Sequence, residues 1–188
     1  MSKVLKFLGD TVLKIMGWKI EGRLPNLPKY VAIIGVHTSN WDFFICLMAR
    51  LSLRMPSHWF GKHTIFFWPF GSFFKALGGI PIYRHLKQNV VEQGISEFKN
   101  RQAFIVTLAP EGTRNFTEGW KTGFYYMAKG AKVPILPIGL DYKRKILTLF
   151  DPFQPTDSIE TDITSLKNKF IGLEAKYPQN DSINFKNQ

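Results

Sequence analysis

The chain has little with which to staple itself or to cross a membrane. Its one cysteine, Cys46, cannot close an internal disulfide and has no metal-ligand cluster around it. Free cysteine is among the most buried residue types, so Cys46 reads as a small core side chain in a protein of a reducing compartment. No apolar run approaches the roughly 18 to 20 residues that span a bilayer. The start lacks the charged, apolar and small-residue regions of a secretory signal, so a non-integral protein is expected. Acidic residues are scarce as well: 14 Asp and Glu stand against 25 Lys and Arg, a formal net charge of +11. That excess calls for an anionic partner, whether a phosphorylated substrate, acidic lipid, an acidic carrier protein or nucleic acid. There is no G-x-S-x-G elbow, which removes the usual serine-hydrolase arrangement. With 188 residues, 45% of them hydrophobic, the chain can build one domain with a real core.

What is present begins with an amphipathic segment. At about 100° per residue, Val4, Leu5, Leu8, Val12, Ile15 and Met16 share one arc, with Lys3, Lys6, Asp10 and Lys14 opposite. Residues 1–22 are therefore expected to form an N-terminal helix, lying in a membrane interface or packed on the domain of residues 23–188. Downstream, short apolar runs at Tyr30–Val36, Trp59–His63, Ala103–Leu108, Val133–Leu140 and Ile146–Phe150 read as strands. Helical spacing marks Trp41–Leu53, Leu86–Asn100, Thr122–Lys129 and Ile163–Ala175. The alternation predicts a single α/β domain: a mostly parallel central sheet flanked by helices, with the chemistry in loops at one edge. Lys143-Arg144-Lys145 falls at a hairpin tip, and Tyr177–Gln188 reads as a polar, loosely held tail. Between Ile65 and Phe74, six aromatics surround a Pro and a Gly, a composition suited to a packed core segment, an acyl-chain groove or a membrane-dipping surface.

The most informative pair is His37 and Asp42, placed where a buried strand ends. Five residues apart, they face each other neither on a continuous helix nor on a continuous strand, so a turn must separate them. With His37 in the loop and Asp42 in the first helical turn, the carboxylate can reach one ring nitrogen while the other faces substrate, the arrangement of an oriented general base. The alternative for Asp42 is a capping box with Ser39, satisfying only backbone donors. Two other segments supply positive charge. Arg84 ends the run Gly79-Ile-Pro-Ile-Tyr-Arg84, and Glu111-Gly112-Thr113-Arg114 follows a strand, joining a flexible glycine to a hydroxyl and a guanidinium in a plausible anion cradle.

Four segments in this order resemble the glycerolipid acyltransferase superfamily that includes bacterial 1-acylglycerol-3-phosphate acyltransferases. His37-Thr-Ser-Asn-Trp-Asp42 is similar to its H-x4-D block, Gly79–Arg84 to the second, Glu111-Gly-Thr-Arg114 to the third and Val133-Pro-Ile-Leu-Pro-Ile138 to the fourth. The chain differs from many members in having Val36 before the histidine and Tyr83 before the second-block arginine. The resemblance implies acyl transfer from acyl-CoA or acyl-carrier protein to the free hydroxyl of a lysophospholipid, foremost 1-acylglycerol-3-phosphate. It implies no cofactor, no metal and no covalent acyl-enzyme. By it, His37 and Asp42 are catalytic, and Arg84, Glu111, Gly112, Thr113 and Arg114 hold the acceptor's phosphate. A peripheral enzyme on an anionic membrane surface, at the cytoplasmic face, is the expected setting. The rival readings are acylation of another lysolipid and a non-catalytic basic module for anionic lipid or nucleic acid. Against nucleic acid, the aromatics concentrate in Phe66–Phe74 instead of alternating with bases along strands.

Overall fold

The central strands are apolar without interruption because both of their faces are covered. In β2 (Lys29–Gly35), Val31 and Ile33 enter one core while Tyr30 and Ala32 enter another. Such two-sided burial is the signature of a parallel sheet between helix layers. The structure, a computed structural model, describes residues 2–82 and 90–184. Its other strands are β1 (Lys19–Glu21), β3 (Ser57–Lys62), β4 (Gly79–Ile82), β5 (Phe104–Leu108), β6 (Ile135–Asp141) and β7 (Ile146–Leu149). They form one sheet in the order β1-β7-β6-β2-β5-β3-β4, with only the β6–β7 pair antiparallel. The expected mostly parallel α/β sheet is the one observed.

Helices α1 (Lys3–Ile15) and α2 (Asn40–Ser52) cover one face through Leu13, Ile45, Met48 and Leu51. Helices α4 (Val90–Asn100), α5 (Gly123–Ala131) and α6 (Ile159–Asn168) cover the other through Phe98, Phe124, Met127 and Leu166. The neighbouring strands β2 and β5 therefore send their chains to opposite faces, β2 into α2 and β5 through a loop into α5. That divergence opens a crevice at the strands' carboxyl ends, the place where open α/β sheets bind ligands.

Several elements differ from their sequence expectation. Of the apolar arc of the first helix, Val12 and Met16 pack partly on the domain and Val4, Leu5, Leu8 and Ile15 stay exposed, while the buried residues are Gly9 and Leu13, which the arc does not include. A Cβ at Gly9 would lie 2.6 Å from both Met48 O and Ser52 N, so glycine is what lets α1 close onto α2. The short edge strand β1 and helix α3 (Phe70–Ala76) were hidden, the first by its three-residue length and the second by its aromatic composition. The helix expected over Ile163–Ala175 instead spans Ile159–Asn168, because Phe170 turns inward, wholly buried against Gly35, and Gly172 takes a left-handed φ of 81°. The tail is not loose as far as it is described. Asp181 is buried, accepting from the amides of Ile183 and Asn184, and Asn184 Nδ2 donates to the Leu173 carbonyl. The first part of the expected helix at Leu86–Asn100 and the Arg84 end of the second block lie outside the described residues.

The Gly9 contact gives a prediction with a definite sign. In a helix free of tertiary contacts, Gly9→Ala would stabilise by about 1 kcal/mol. Packed as it is on α2, the same change should destabilise the protein by about 1–3 kcal/mol. Denaturant titration measures this, and a gain in stability would show that α1 does not pack as described.

Candidate active site

Val36, the residue after β2, adopts a left-handed φ of 65°. A β-branched side chain resists that conformation at a cost on the order of 1–3 kcal/mol, so the surroundings must hold it there. They do so by capturing the next three amides. His37 N donates to Glu111 Oε2 at 2.8 Å, and Thr38 N and Ser39 N donate to Asp42 Oδ2 at 2.9 and 2.8 Å. Both carboxylates are almost fully enclosed, Glu111 at 2% and Asp42 at 1% relative exposure. Ser39, in extended conformation, then caps α2, its hydroxyl accepting from Trp41 N at 3.1 Å.

The turn brings the histidine over the same carboxylate. His37 Nδ1 donates to Asp42 Oδ2 at 3.0 Å, which leaves Nε2 without a partner on this carboxylate. Asp42 thus serves as both capping residue and imidazole partner; the two sequence readings describe one side chain. Its second oxygen accepts from the Tyr142 hydroxyl, which lies one residue past β6 and is steadied by the Trp18 ring, edge-on at 5.0 Å. Burial and the Asp42 carboxylate push the Tyr142 hydroxyl's pKa upward, so it stays a donor. Nothing in the sequence marks Tyr142 as Asp42's partner, since 100 residues separate them.

The Glu111–Arg114 segment divides its labour. Burial pushes the Glu111 carboxyl up to about 7, opposed by the bonds it accepts from the His37 amide and from Ser182 Oγ at 3.2 Å. Glu111 faces the backbone of the His37 loop instead of the cavity, and so holds the His37 amide. Gly112, at φ 64°, lies under the Lys121 side chain, 2.9 Å from where a Cβ would stand. Thr113 Oγ1 accepts from Asn115 N at 3.2 Å and closes the turn. Arg114 alone of the four lines the cavity, its Nη1 donating to Asn40 Oδ1 at the start of α2. Because the amides of residues 37–39 are occupied by carboxylates, they are not free to act as oxyanion donors.

That cavity, about 680 Å³, runs between α2 and the sheet. His37, Asn40, Lys62 and Arg114 stand at its polar mouth, and Ile34, Phe43, Leu47, Ile138, Leu147 and Leu149 form apolar walls. Cys46 is among them, and burial pushes its thiol pKa far up, so it is an inert wall residue. Arg50 stands ten residues along α2 from Asn40, about 15 Å at helical rise, with Nε donating to the Ser57 carbonyl at 3.1 Å. A base at a charged mouth above a long apolar slot is equipped to join a polar acceptor to an extended hydrocarbon.

An Acyltransferase family model matches residues 20–141, a span that contains the His37 loop, Asp42 and the Glu111–Arg114 turn. The chain belongs to the acyltransferase family. Among its relatives are the 1-acyl-sn-glycerol-3-phosphate acyltransferases of Haemophilus influenzae, 30% identical over 134 residues, and of Escherichia coli, 29% identical over 134 residues. The alignments cover 66% of this chain and 54% and 53% of those proteins. The chain thus spans about half the length of the curated relatives it matches. The crystal structure of the 1-acyl-sn-glycerophosphate (LPA) acyltransferase PlsC from Thermotoga maritima superimposes with a TM-score of 0.66. It covers 89% of this chain and 75% of that one at 18% identity, which shows a shared fold.

The site predicts a pH signature in stability. A folded-state value raised from 4.5 to about 7 means that Glu111 keeps its proton where the unfolded chain has lost it. Its contribution to stability therefore falls as pH rises through that window, by up to about 1.4 kcal/mol per pH unit. Glu111→Gln should flatten the slope between those values in denaturation midpoints; an identical slope in both proteins would contradict the buried placement.

Proposed function

We propose that this chain transfers a fatty acyl group from a thioester, acyl-CoA or acyl-carrier protein, to the free hydroxyl of a lysophospholipid. The acceptor we infer is 1-acylglycerol-3-phosphate, with phosphatidate as product. The observation behind this reading is the His37–Asp42 bond at the mouth of the apolar cavity: it fixes Nδ1 as donor and leaves Nε2 to take a proton. Membership in the acyltransferase family and the names of the relatives support it.

In the proposed reaction, His37 Nε2 removes the acceptor hydroxyl's proton as its oxygen attacks the thioester carbonyl carbon. The C–S bond then breaks, and the imidazolium returns the proton to the departing thiolate. Asp42 stabilises that imidazolium and holds its orientation, while Tyr142 holds Asp42. Arg114 and Lys121 provide positive charge for the acceptor phosphate, and Thr113 and Gly112 shape the turn that presents them. Glu111 positions the His37 backbone. Arg84 keeps its proposed phosphate role from the family resemblance. The acyl chain lies in the slot beneath α2. The acyltransferase domain, expected over residues 23–188, also takes in β1 (Lys19–Glu21) as a strand of its sheet, and α1 (Lys3–Ile15), within the expected helical segment 1–22, docks on it. The protein works peripherally, at the cytoplasmic face of an anionic membrane. Among the described residues no helix is long and apolar enough to cross a membrane.

Kinetics with purified protein and labelled acyl donor test these roles. His37→Ala should lower turnover by about 10² to 10⁴-fold with folding intact, since a placed base acts in the transition state. Asp42→Asn should also be severe, and Tyr142→Phe milder. Arg114→Ala should chiefly raise KM for a phosphate-bearing acceptor by about 10 to 100-fold, the worth of one charge-assisted contact. A folded His37→Ala protein with near-parental turnover would exclude the mechanism.

A further inference from the structure

The aromatics of residues 66–74 divide into two sets. Phe66 and Phe74 turn inward onto Trp59: Phe66 stacks on its ring at 5.9 Å and Phe74 meets it edge-on at 6.1 Å. Phe43 of α2 closes on the other side of Trp59 at 5.6 Å. The second set turns outward: Trp68 is 90% exposed, and Phe67, Phe70 and Phe73 are 59%, 53% and 58% exposed. Gly71 allows the turn, because a Cβ there would lie 2.4 Å from the Phe66 carbonyl oxygen. The inner, mutually packed rings therefore present an outer layer that the fold leaves uncovered, the kind of apolar patch that marks an interaction surface.

Its position decides its use. The segment follows the carboxyl end of β3, whose last residue, Lys62, lines the mouth of the His37 cavity. Aromatic patch and catalytic mouth thus share one edge of the sheet. The stretch that carries the patch is also of one sign: no Asp or Glu occurs between Asp42 and Glu92, while Lys62 and Lys75 flank the patch. Helix α1 does not share this placement. Trp18, just after α1, touches Tyr142 at the catalytic edge, whereas Gly9 meets Met48 and Ser52 near the far end of α2. Helix α1 therefore runs antiparallel to α2, and its exposed Val4 and Phe7 point away from the catalytic edge.

We propose that α3 and the turn before it form a bilayer-docking wedge, in which Trp68, Phe67, Phe70 and Phe73 enter the headgroup boundary. Lys62 and Lys75 then meet anionic phosphates, and the cavity mouth is laid against the lipid surface. Tryptophan suits this depth, being apolar in body and polar at its N–H, and basic side chains beside it add attraction to anionic leaflets. The proposal rests on the lysophospholipid reading above, since an acceptor held in a bilayer must reach His37 from this edge.

Sedimentation with vesicles of phosphatidylcholine and equimolar phosphatidylglycerol tests it. The double variant Trp68→Ser, Phe73→Ser should bind about tenfold less or weaker, from the loss of two partly inserted aromatic side chains. Its transfer to lysolipid in those vesicles should fall in parallel, with melting temperature and transfer to a monomeric short-chain lysolipid within about twofold of the parent. Val4→Ser, Phe7→Ser on α1 should leave sedimentation nearly unchanged. Vesicle binding that survives the α3 double variant, or that is lost with the α1 variant instead, overturns the proposal. So does loss of self-association or of acyl-carrier-protein binding in the α3 variant while vesicle binding persists, which would assign the patch to a protein partner. If the parent transfers acyl groups to no lysolipid yet the α3 variant alone loses vesicle binding, the wedge stands and the proposed acceptor fails.

Discussion

Everything around His37 depends on two buried carboxylates and the three consecutive amides they hold. Unpaired, carboxylates this enclosed would be costly. Here Asp42 accepts from two amides, the His37 ring and the Tyr142 hydroxyl, and Glu111 accepts from the third amide and from Ser182. The same bonds hold Val36 in a left-handed turn that its side chain disfavours. Backbone strain, helix cap and imidazole orientation are therefore one arrangement: Asp42 takes part in all three, and Glu111 holds the His37 amide at its start. The element that Glu111 recruits, the tail around Ser182, lies beyond the residues matched by the family model.

This arrangement underlies the function proposed for the crevice between β2 and β5. The sheet supplies position, since the two strands diverge to opposite faces and leave their loops side by side. The loops supply the side chains of the proposed reaction, an imidazole from one and a guanidinium from the other. Helix α2 does two jobs: its first turn holds the imidazole partner, and its inner face roofs the apolar slot. The polar His37 end of the cavity and its apolar walls are thereby joined along a single helix.

How much of this was legible in the sequence follows from how local each interaction is. The strands at Tyr30–Val36, Ala103–Leu108 and Val133–Leu140 could be read because two-sided burial leaves an unbroken apolar run. The His37–Asp42 pair could be read because its partners lie within one turn. Tyr142 and Ser182 could not, since their bonds to Asp42 and Glu111 span 100 and 71 residues. Glu111 was recognised as a site residue but assigned to the substrate, because sequence shows the carboxylate and not the direction in which it points. The contact face of α1 was not legible for a related reason. Its apolar arc was read as facing either a membrane interface or the domain, whereas contact with α2 was decided by its smallest residue, Gly9.

The central claim is that Asp42 fixes His37 with its proton on Nδ1 and its lone pair on Nε2. Nitrogen-15 NMR of the imidazole ring, with His37 assigned by comparison with His37→Gln, measures that tautomer directly. The structure predicts a protonated Nδ1 and an unprotonated Nε2 in the neutral ring, with that preference weakened in Asp42→Asn. A neutral ring protonated on Nε2, or one indifferent to Asp42→Asn, would contradict the account.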